Sequence, residues 1–471
     1  MSAHRAIAVP ADASFPLRLI QEVVDRSGAR ERRRRLLPAA AVMVFVLGCC
    51  LFSEDAYGEV ARKLTGWLGP LAGRPAWRVP GSAALARARR RLGTGPFELL
   101  FTRLAGPLAG PGTPGAAAFG RVLMAIDGTS LEVPYTPADV AGFGSPPSGR
   151  AAGAGYPQVQ LVTVTACGTR GLAGAAIGSR RGTGCSEQEL ARQLTGVLGP
   201  RMLVLADRGF CGYPVVSALT ATGAQVIIRV KSNQQLPVMR ALTDGSYLSV
   251  LPEPGAKRTL VERNSKRRRR RGAAPDTSPL PGITVRVIMF TLTVTGAGGS
   301  RRSESCRLIT TLLDPAGAPA AEVAACYAQR REIETGYREL KVSLRGPGRV
   351  LRSKDPAMVR QEIWAMLCAC QLIHTQRAAA AAACSDLDPD RISFTVTLRA
   401  IRRQITSRRP GRHATVRSEI LGQLLPRRRS RSYPRLPLNP AASRRKARGG
   451  RSAAITCTIS ITAASTGLPG P

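Results

Sequence analysis

Apolar residues recur at helical spacing over residues 15–110, and the period changes after a Gly/Pro-rich break. PLRLIQEVVDRSG predicts an amphipathic helix closed by Gly28, because apolar positions three and four apart share one face. Leu36–Phe52, LLPAAAVMVFVLGCCLF, carries no charge and follows ERRRR. Positive flanks beside an apolar run mark some membrane spans. This run is at the short limit for crossing a bilayer core of ~30 Å and holds Pro38 and Gly48. It reads as a buried core helix, with a membrane span as the alternative. SEDAYGEVARKLTGWLG predicts a helix with Ser53 as N-cap and acids in its first turn, where the helix dipole favours them. GSAALARARRRLG predicts a helix from Ser82 to Gly93, and the linker GPLAGPGTPG then marks a boundary.

Beyond Arg121 the pattern turns to short apolar runs. RVLMAI ends at Asp127, YPQVQLVTVTA alternates and is rich in β-branched residues, and GLAGAAIGS reads as a third strand. SEQELARQLTGVLG predicts a helix, with Ser186 and Glu189 in capping-box spacing. RMLVLA ends at Asp207, YPVVSALTATG reads as helix and AQVIIRVKS as strand. Three strands followed by helix, strand, helix and strand is an α/β order with a mixed sheet. Residues 236–318 interrupt it with β-like pieces around KRRRRRG at Lys266–Gly272, predicting a β-rich insertion with a basic loop. Helical patterns follow at about Ala320–Ser343 and Pro356–Ala383. Between Arg399 and Arg451 there are 17 Lys or Arg and one acid, Glu419. That composition predicts a part-helical start, ISFTVTLRAIRRQI, and a disordered basic tail.

Composition narrows the partner. With 471 residues and a hydrophobic fraction of 44%, a sizeable core can form and wholesale disorder is excluded. Lys plus Arg number 69 against 30 acids, a net charge of +39. A field of that sign excludes a near-neutral enzyme and favours a polyanionic partner, nucleic acid or an anionic membrane surface. Heavy use of Ala, Gly, Arg and Pro suggests a GC-rich genome, so part of the Arg excess is codon bias. The 11 cysteines are odd in number and include no C-x-x-C pair, which suits a reducing compartment rather than a disulfide framework or zinc module. His4, His374 and His413 are too scattered for a His-built metal site or a Ser-His-Asp triad. The N-terminus lacks the order of a signal peptide. Arg87, Arg89, Arg90 and Arg91 make their helix a candidate for docking on phosphates in a small helical DNA-binding domain; an ordinary bundle with a solvated basic face fits equally well.

Asp127 and Asp207 each end an apolar run and precede a loop signal, in AIDGTS and LADRGF. An acid at the end of a buried strand lies at the lip of the sheet, where α/β folds bind ligands. Two neighbouring carboxylates repel unless protonated or bridged by a cation. With no His or Cys cluster beside them, an oxygen-only site suits Mg²⁺ or Mn²⁺. On the helix at 320–343, Tyr327, Arg330, Glu334 and Lys341 are spaced 3, 4 and 7. At ~100° per residue they fall within an arc of ~60°, with Ala324, Ile333, Leu340 and Leu344 left for packing. A carboxylate between an Arg and a Lys suits a metal ligand flanked by phosphate clamps; a solvated face joined by an Arg330–Glu334 pair is the plain alternative.

The pattern Y-x2-R-x3-E-x6-K, present as YAQRREIETGYRELK, resembles the signature of the insertion element 4 family of bacterial transposases. AIDGTS and VLADRGF resemble that family's two aspartate motifs in order and spacing, and RERRRRLLP, CLFSEDAYGEV and ALARARRRLG resemble its N-terminal domain. The resemblance covers residues 15–384. It implies a ribonuclease-H-like mixed-sheet core with a triad of Asp127, Asp207 and Glu334 holding two Mg²⁺ (or Mn²⁺) ions. Arg330 and Lys341 would grip phosphates, and Tyr327 would position the DNA backbone by stacking or through its hydroxyl. The domains would be a helical DNA-binding domain at 15–112, a catalytic domain at 120–384 with its β-rich insertion at 236–318, and a basic segment at 385–471. The chain would cut double-stranded DNA at the terminal inverted repeats of a mobile element and join the ends to target DNA. It would work as a homodimer in the cytoplasm, associated with the nucleoid and not with a membrane. Rival readings are a non-enzymatic basic nucleic-acid-binding protein, a ribonuclease-H-like nuclease without strand transfer, and a membrane-attached protein using residues 36–52.

Overall fold

The computed structural model describes residues 15–426 and 456–463, apart from 34, 74–76, 110–111, 145–154, 181–184, 257–258, 260–279, 296–300, 385 and 408–412. The expected basic loop at Lys266–Gly272 and most of the expected disordered tail lie outside the described residues. In chain order the helices are α1 (Leu17–Arg26), α2 (Ala39–Leu51), α3 (Tyr57–Lys63), α4 (Thr65–Leu71), α5 (Ser82–Leu92), α6 (Gly95–Leu104), α7 (Pro137–Phe143), α8 (Glu187–Gln193), α9 (Tyr213–Ala221), α10 (Ala320–Tyr327), α11 (Arg331–Arg338), α12 (Pro356–Ala382), α13 (Phe394–Thr406) and α14 (His413–Leu421). The strands are β1 (Ala117–Ala118), β2 (Arg121–Glu132), β3 (Gln158–Ala166), β4 (Leu172–Ser179), β5 (Met202–Ala206), β6 (Gln225–Arg229), β7 (Arg240–Ala241), β8 (Tyr247–Pro252), β9 (Gly282–Thr295), β10 (Arg301–Thr310) and β11 (Thr456–Ile461). The chain divides into two compact units. The first comprises Met1–Ala117, Val122–Val197 and Arg331–Arg428; the second comprises Ala118–Arg121, Leu198–Arg330 and Arg429–Pro471.

In the first unit the apolar run of the sequence becomes α2, buried along nearly its whole length. A helix apolar on every side belongs in a core or a membrane. Here it is core, and no described helix is long and apolar enough to cross a membrane. α1 to α6 share one continuous hydrophobic core with α12 and α13 and with the inner faces of β2 and β3. α12 explains its own polar residues. Gln361 donates to the carbonyls of Arg89 and Gly93 at 2.9 and 2.7 Å, and Gln371 to those of Leu104 and Gly106 at 3.1 and 3.2 Å. These are carbonyls at and just past the C-terminal ends of α5 and α6, where helix geometry leaves acceptors without partners. Two buried amides on α12 therefore cap the helices packed against it.

Several predicted caps hold and one does not. Ser186 and Glu189 form the capping box of α8, and Gly28 and Gly93 follow α1 and α5 with φ of 67° and 73°; Asp355, which the sequence reading did not single out, caps α12 by accepting from Met358 N at 3.0 Å. Ser53 is not an N-cap. The helix expected from it begins at Tyr57, and the Ser53 hydroxyl donates to the Leu344 carbonyl at 2.9 Å. A tertiary acceptor has taken the group that local spacing assigned to a cap.

β2, β3 and β4 form an antiparallel meander in the first unit. In the second unit β5 and β6 pair in parallel, β6 pairs antiparallel with β10, and β10 with β9. The β-rich insertion expected at 236–318 thus continues the sheet outward from β6. One edge of β9 is shared: β8 pairs with Gly282–Val287, and β11 with Phe290–Thr295. β11 was not expected. Its residues, TCTISI, lie in a segment whose composition predicts a disordered basic tail, but Thr456, Thr458, Ile459 and Ile461 are β-branched, which suits a strand. The chain is accordingly a mixed α/β protein with helices concentrated at 17–104.

Candidate active site

Asp127 lies within β2 and not at its end. The ladder with β3 runs unbroken from Met124 opposite Ala166 to Glu132 opposite Gln158, so the GTS that reads as a loop signal stays extended. Asp127 marks the point where four buried residues, Leu123–Ile126, give way to half-buried ones. Its Oδ1 accepts from Gly128 N at 2.9 Å. Gly128 is needed for close packing on the other face. A Cβ there would stand 2.4 Å from Glu187 Oε1, which Gln160 holds by a 2.7 Å hydrogen bond.

The helix expected at 320–343 is broken into α10, a 3₁₀ turn at Ala328–Arg330, α11, and a π-helical turn at Glu339–Leu344. A 3₁₀ turn overwinds and a π turn underwinds, so the single arc calculated at a constant angle does not hold from Tyr327 to Lys341. Apolar spacing is blind to these slips, because the packing residues still land inside: Ala324, Ile333, Leu340 and Leu344 are all buried.

Within the first unit, two residues fasten this segment to β2. The Tyr337 hydroxyl donates to the Asp127 carbonyl at 2.6 Å and accepts from the Thr163 hydroxyl at 3.0 Å. Lys341 Nζ donates to Thr129 Oγ1 at 3.0 Å. The helical step from Tyr337 to Lys341, which ends in the π turn, thus meets the two-residue step from Asp127 to Thr129 on β2. Side chains two apart on a strand share a face. The Asp127 side chain therefore lies on the face of β2 against which Tyr337 of α11 packs. Glu334 sits in the first turn of α11, where the helix dipole favours an acid. Burial pushes the Tyr337 hydroxyl pKa well up, opposed by its hydrogen bond with Thr163 and reinforced by the Asp127 charge, so it stays a neutral donor. Burial also pulls the Lys341 ammonium below its usual value, and the Arg345 charge adds to this.

In the second unit Asp207 follows β5, whose last four residues are buried, and caps the 3₁₀ turn Arg208–Phe210 by accepting from Arg208 N at 2.7 Å. The Tyr327 hydroxyl, expected to meet DNA, donates instead to the carbonyl of Ala206, the residue before Asp207, at 3.3 Å. Burial raises its pKa, opposed by Arg330 and reinforced by Asp207, so Tyr327, Arg330 and Asp207 are electrostatic neighbours. Tyr337, Thr129 and Thr163 were missed by sequence reasoning. The one available signal was that Tyr337 follows Glu334 by three residues, on the same side of the helix.

Three carboxylates without sulfur or imidazole suit a hard divalent ion. Among the described residues, no group of three or more His, Cys, Asp and Glu side chains stands ready to hold one.

The basic face of α5 is less available than its sequence suggests. Arg89 is 5% exposed and bonds to Gln361 at 3.0 Å, to Ser353 at 3.2 Å and to the Tyr57 hydroxyl, so it is held inside the fold and not on the outer basic face of α5. Arg90 pairs with Asp355 at 3.1 Å, and Arg91 pairs with Glu31 at 3.3 Å and donates to the Leu37 carbonyl at 2.7 Å. Arg87 is exposed.

Residues 11–102 match the insertion element 4 transposase N-terminal model, and residues 118–372 match the transposase DDE domain. The chain is 30% identical over 430 residues to the transposase InsG for insertion sequence element IS4 of Escherichia coli (strain K12), covering 89% of each chain. A cryo-EM structure of a piggyBac transposase synaptic complex with hairpin DNA aligns over 93% of this chain and 89% of that one, at 11% identity and a TM-score of 0.42, too loose a likeness to bear on the chemistry. The two family matches and the extent of identity to a curated relative place this chain in the insertion element 4 family of DDE transposases.

Proposed function

We propose that Asp127, Asp207 and Glu334 are the acids with which this DNA transposase cuts the ends of its element and joins them to target DNA, within a ribonuclease-H-like core. The observation that carries the reading is the Tyr337–Asp127 hydrogen bond, which locks the helix bearing Glu334 to the face of β2 bearing Asp127. Membership in the DDE family carries a dependence on divalent metal, and an all-carboxylate donor set fits Mg²⁺ or Mn²⁺, with two ions as the expected count. When bound, such ions stabilise the attacking and leaving oxygens of an in-line phosphoryl displacement.

The chain's own residues set the stage for that chemistry. Tyr337 and Lys341 fix the register of α11 on β2, so Glu334 and Asp127 are held by rigid elements. Tyr327 fixes the segment before it to the carbonyl preceding Asp207. Arg330 and Lys341 supply positive charge for the phosphates beside the scissile bond, in surroundings where partial burial strengthens each contact. Arg87, Arg90 and Arg91 supply long-range attraction, the last two after exchanging their acidic partners for phosphate. The natural substrates are double-stranded DNA carrying the element's terminal inverted repeats, and target DNA. The working form is a homodimer holding two ends, associated with the nucleoid. A strand-transfer assay tests this: a duplex with the element end should become joined to a target plasmid in Mg²⁺. Cutting without joining would support the nuclease reading instead.

A further inference from the structure

A cavity of about 160 Å³ opens in the first unit, with Arg89, Arg345, Arg349 and Arg352 among its lining residues. It is far larger than the ~10–15 Å³ that a single water needs. Its one acidic lining residue, Glu362, is already occupied: Oε1 accepts from Arg352 N at 3.0 Å, and Oε2 accepts from Ser353 N at 3.0 Å and Ser353 Oγ at 2.5 Å. None of these donors is a guanidinium.

The four arginines are held in different ways. Arg89 is fixed by Gln361, Ser353 and Tyr57. Arg352 is fixed by the main-chain carbonyls of Asp55, at 2.6 Å, and of Ser53. Arg349 donates to the Ser53 carbonyl at 3.3 Å and reaches Glu54 only at 3.7 Å. Arg345 differs: its Nε and Nη1 are buried and have no hydrogen-bond partner among the described residues. A buried, charged donor without an acceptor is strongly disfavoured. Burial lowers the Arg345 pKa, with Glu132 and Glu362 acting against that shift. Neighbouring Cys49 stays a neutral thiol, its pKa pushed up to about 12 by burial. An anion would supply the acceptors that these two atoms lack.

We propose that this cavity is a phosphate site. Several guanidinium forks around one space suit a tetrahedral dianion or phosphodiester with many lone pairs better than a single carboxylate. The lining also includes the apolar Val46, Cys49, Cys50, Leu351 and Met366, against which the sugar that a nucleic-acid phosphate carries can pack. Arg345 lies one turn beyond Lys341 and lowers its pKa, so the site continues the positive surface from the signature lysine. The DNA form of this proposal rests on the reading of the chain as a DNA strand-transfer enzyme; binding of free inorganic phosphate would rest only on the cavity.

The test uses the full chain, Arg345→Gln, and Arg349→Gln, whose more exposed side chain leaves the fold less dependent on it. Thermal stability is measured with increasing inorganic phosphate, and affinity for a duplex carrying the element end is measured against salt. If a DNA phosphate fills the cavity, each variant lowers the slope of log affinity against log salt by about 0.9, the value of one phosphate contact, and loses the stabilisation by phosphate. Arg345→Lys keeps the slope but binds more weakly, because it lacks the planar fork. If the variants lose phosphate stabilisation while the slope stays at its wild-type value, the site stands and its ligand is free phosphate. Folded variants that match wild type in both measurements overturn the proposal. Cleavage by Glu334→Gln, assayed in parallel, reports separately on the catalytic reading.

Discussion

The hydroxyl of Tyr337 donates to the main-chain carbonyl of Asp127 at 2.6 Å, so a residue outside the four-residue signature ties the helix of one candidate acid to the strand of another. Thr163, opposite Asp127 on β3, completes the arrangement by donating to the same hydroxyl. Tyr337→Phe keeps the ring and removes both bonds. Thr163 keeps its contact with the Thr165 hydroxyl at 3.3 Å, so the loss falls on the bond to the half-buried Asp127 carbonyl and costs about 0.5–1.5 kcal/mol. Denaturant unfolding should show that loss, and cleavage by the folded variant should slow at saturating metal. Unchanged cleavage would mean that Tyr337 holds the fold without positioning Glu334.

Gly128→Ala tests the packing on the other face of β2. The added methyl meets Glu187 at 2.4 Å, and overpacking of this kind typically costs about 1–3 kcal/mol. Combining it with Glu187→Ala should recover most of the stability, since the clash is with that side chain. A double variant no more stable than Gly128→Ala alone would place the cost in the backbone.

Two arginines on α5 should behave in opposite ways. Arg87→Gln should fold as wild type and lower the salt dependence of DNA binding, because Arg87 is exposed and a phosphate contact contributes a slope of about 0.9. Arg89→Met should lower the melting temperature, because it removes bonds to Gln361, Ser353 and Tyr57. Normal stability in Arg89→Met would contradict its structural role.

His374 predicts an acid-side loss of stability. It is 1% exposed, and burial first, then Arg377 and Arg170, hold its pKa well below 6.5. The unfolded chain binds a proton there below about pH 6.5 while the folded chain does not. Stability is therefore unaffected above that pH and falls as pH drops below it, by up to about 1.4 kcal/mol per unit for one proton. Denaturant unfolding of His374→Gln should show a flatter profile between pH 7 and 5; a profile as steep as wild type would assign the loss to other groups.

Metal affinity should depend on DNA. Phosphate oxygens of bound DNA complete the oxygen coordination of carboxylate-held ions, so Mn²⁺ binding followed by electron paramagnetic resonance should be weak for the chain alone and tighter with an element-end duplex. Equally tight binding without DNA would show a preformed cage.

Much of the fold was legible in the sequence because single elements obey local rules. The capping box at Ser186, the buried helix at Ala39–Leu51 and the long helix after Asp355 all follow from spacing and caps. What was not legible depends on distant partners. Ser53 gave its hydroxyl to Leu344, β2 ran past Asp127 because β3 supplied a ladder for it, and β11 became a strand because β9 had an open edge. The π turn at Glu339–Leu344 leaves no mark on apolar periodicity. The candidate acids were readable from their motifs; the tyrosine and threonines that fasten Glu334 to β2 were not.

The most direct measurement is single-turnover cleavage of an element-end duplex in Mg²⁺ by wild type, Asp127→Asn, Asp207→Asn and Glu334→Gln, each confirmed folded. Loss of any one acid should slow cleavage by at least about 100-fold while leaving duplex affinity within a few-fold of wild type. Wild-type cleavage by Glu334→Gln would contradict the assignment of the site.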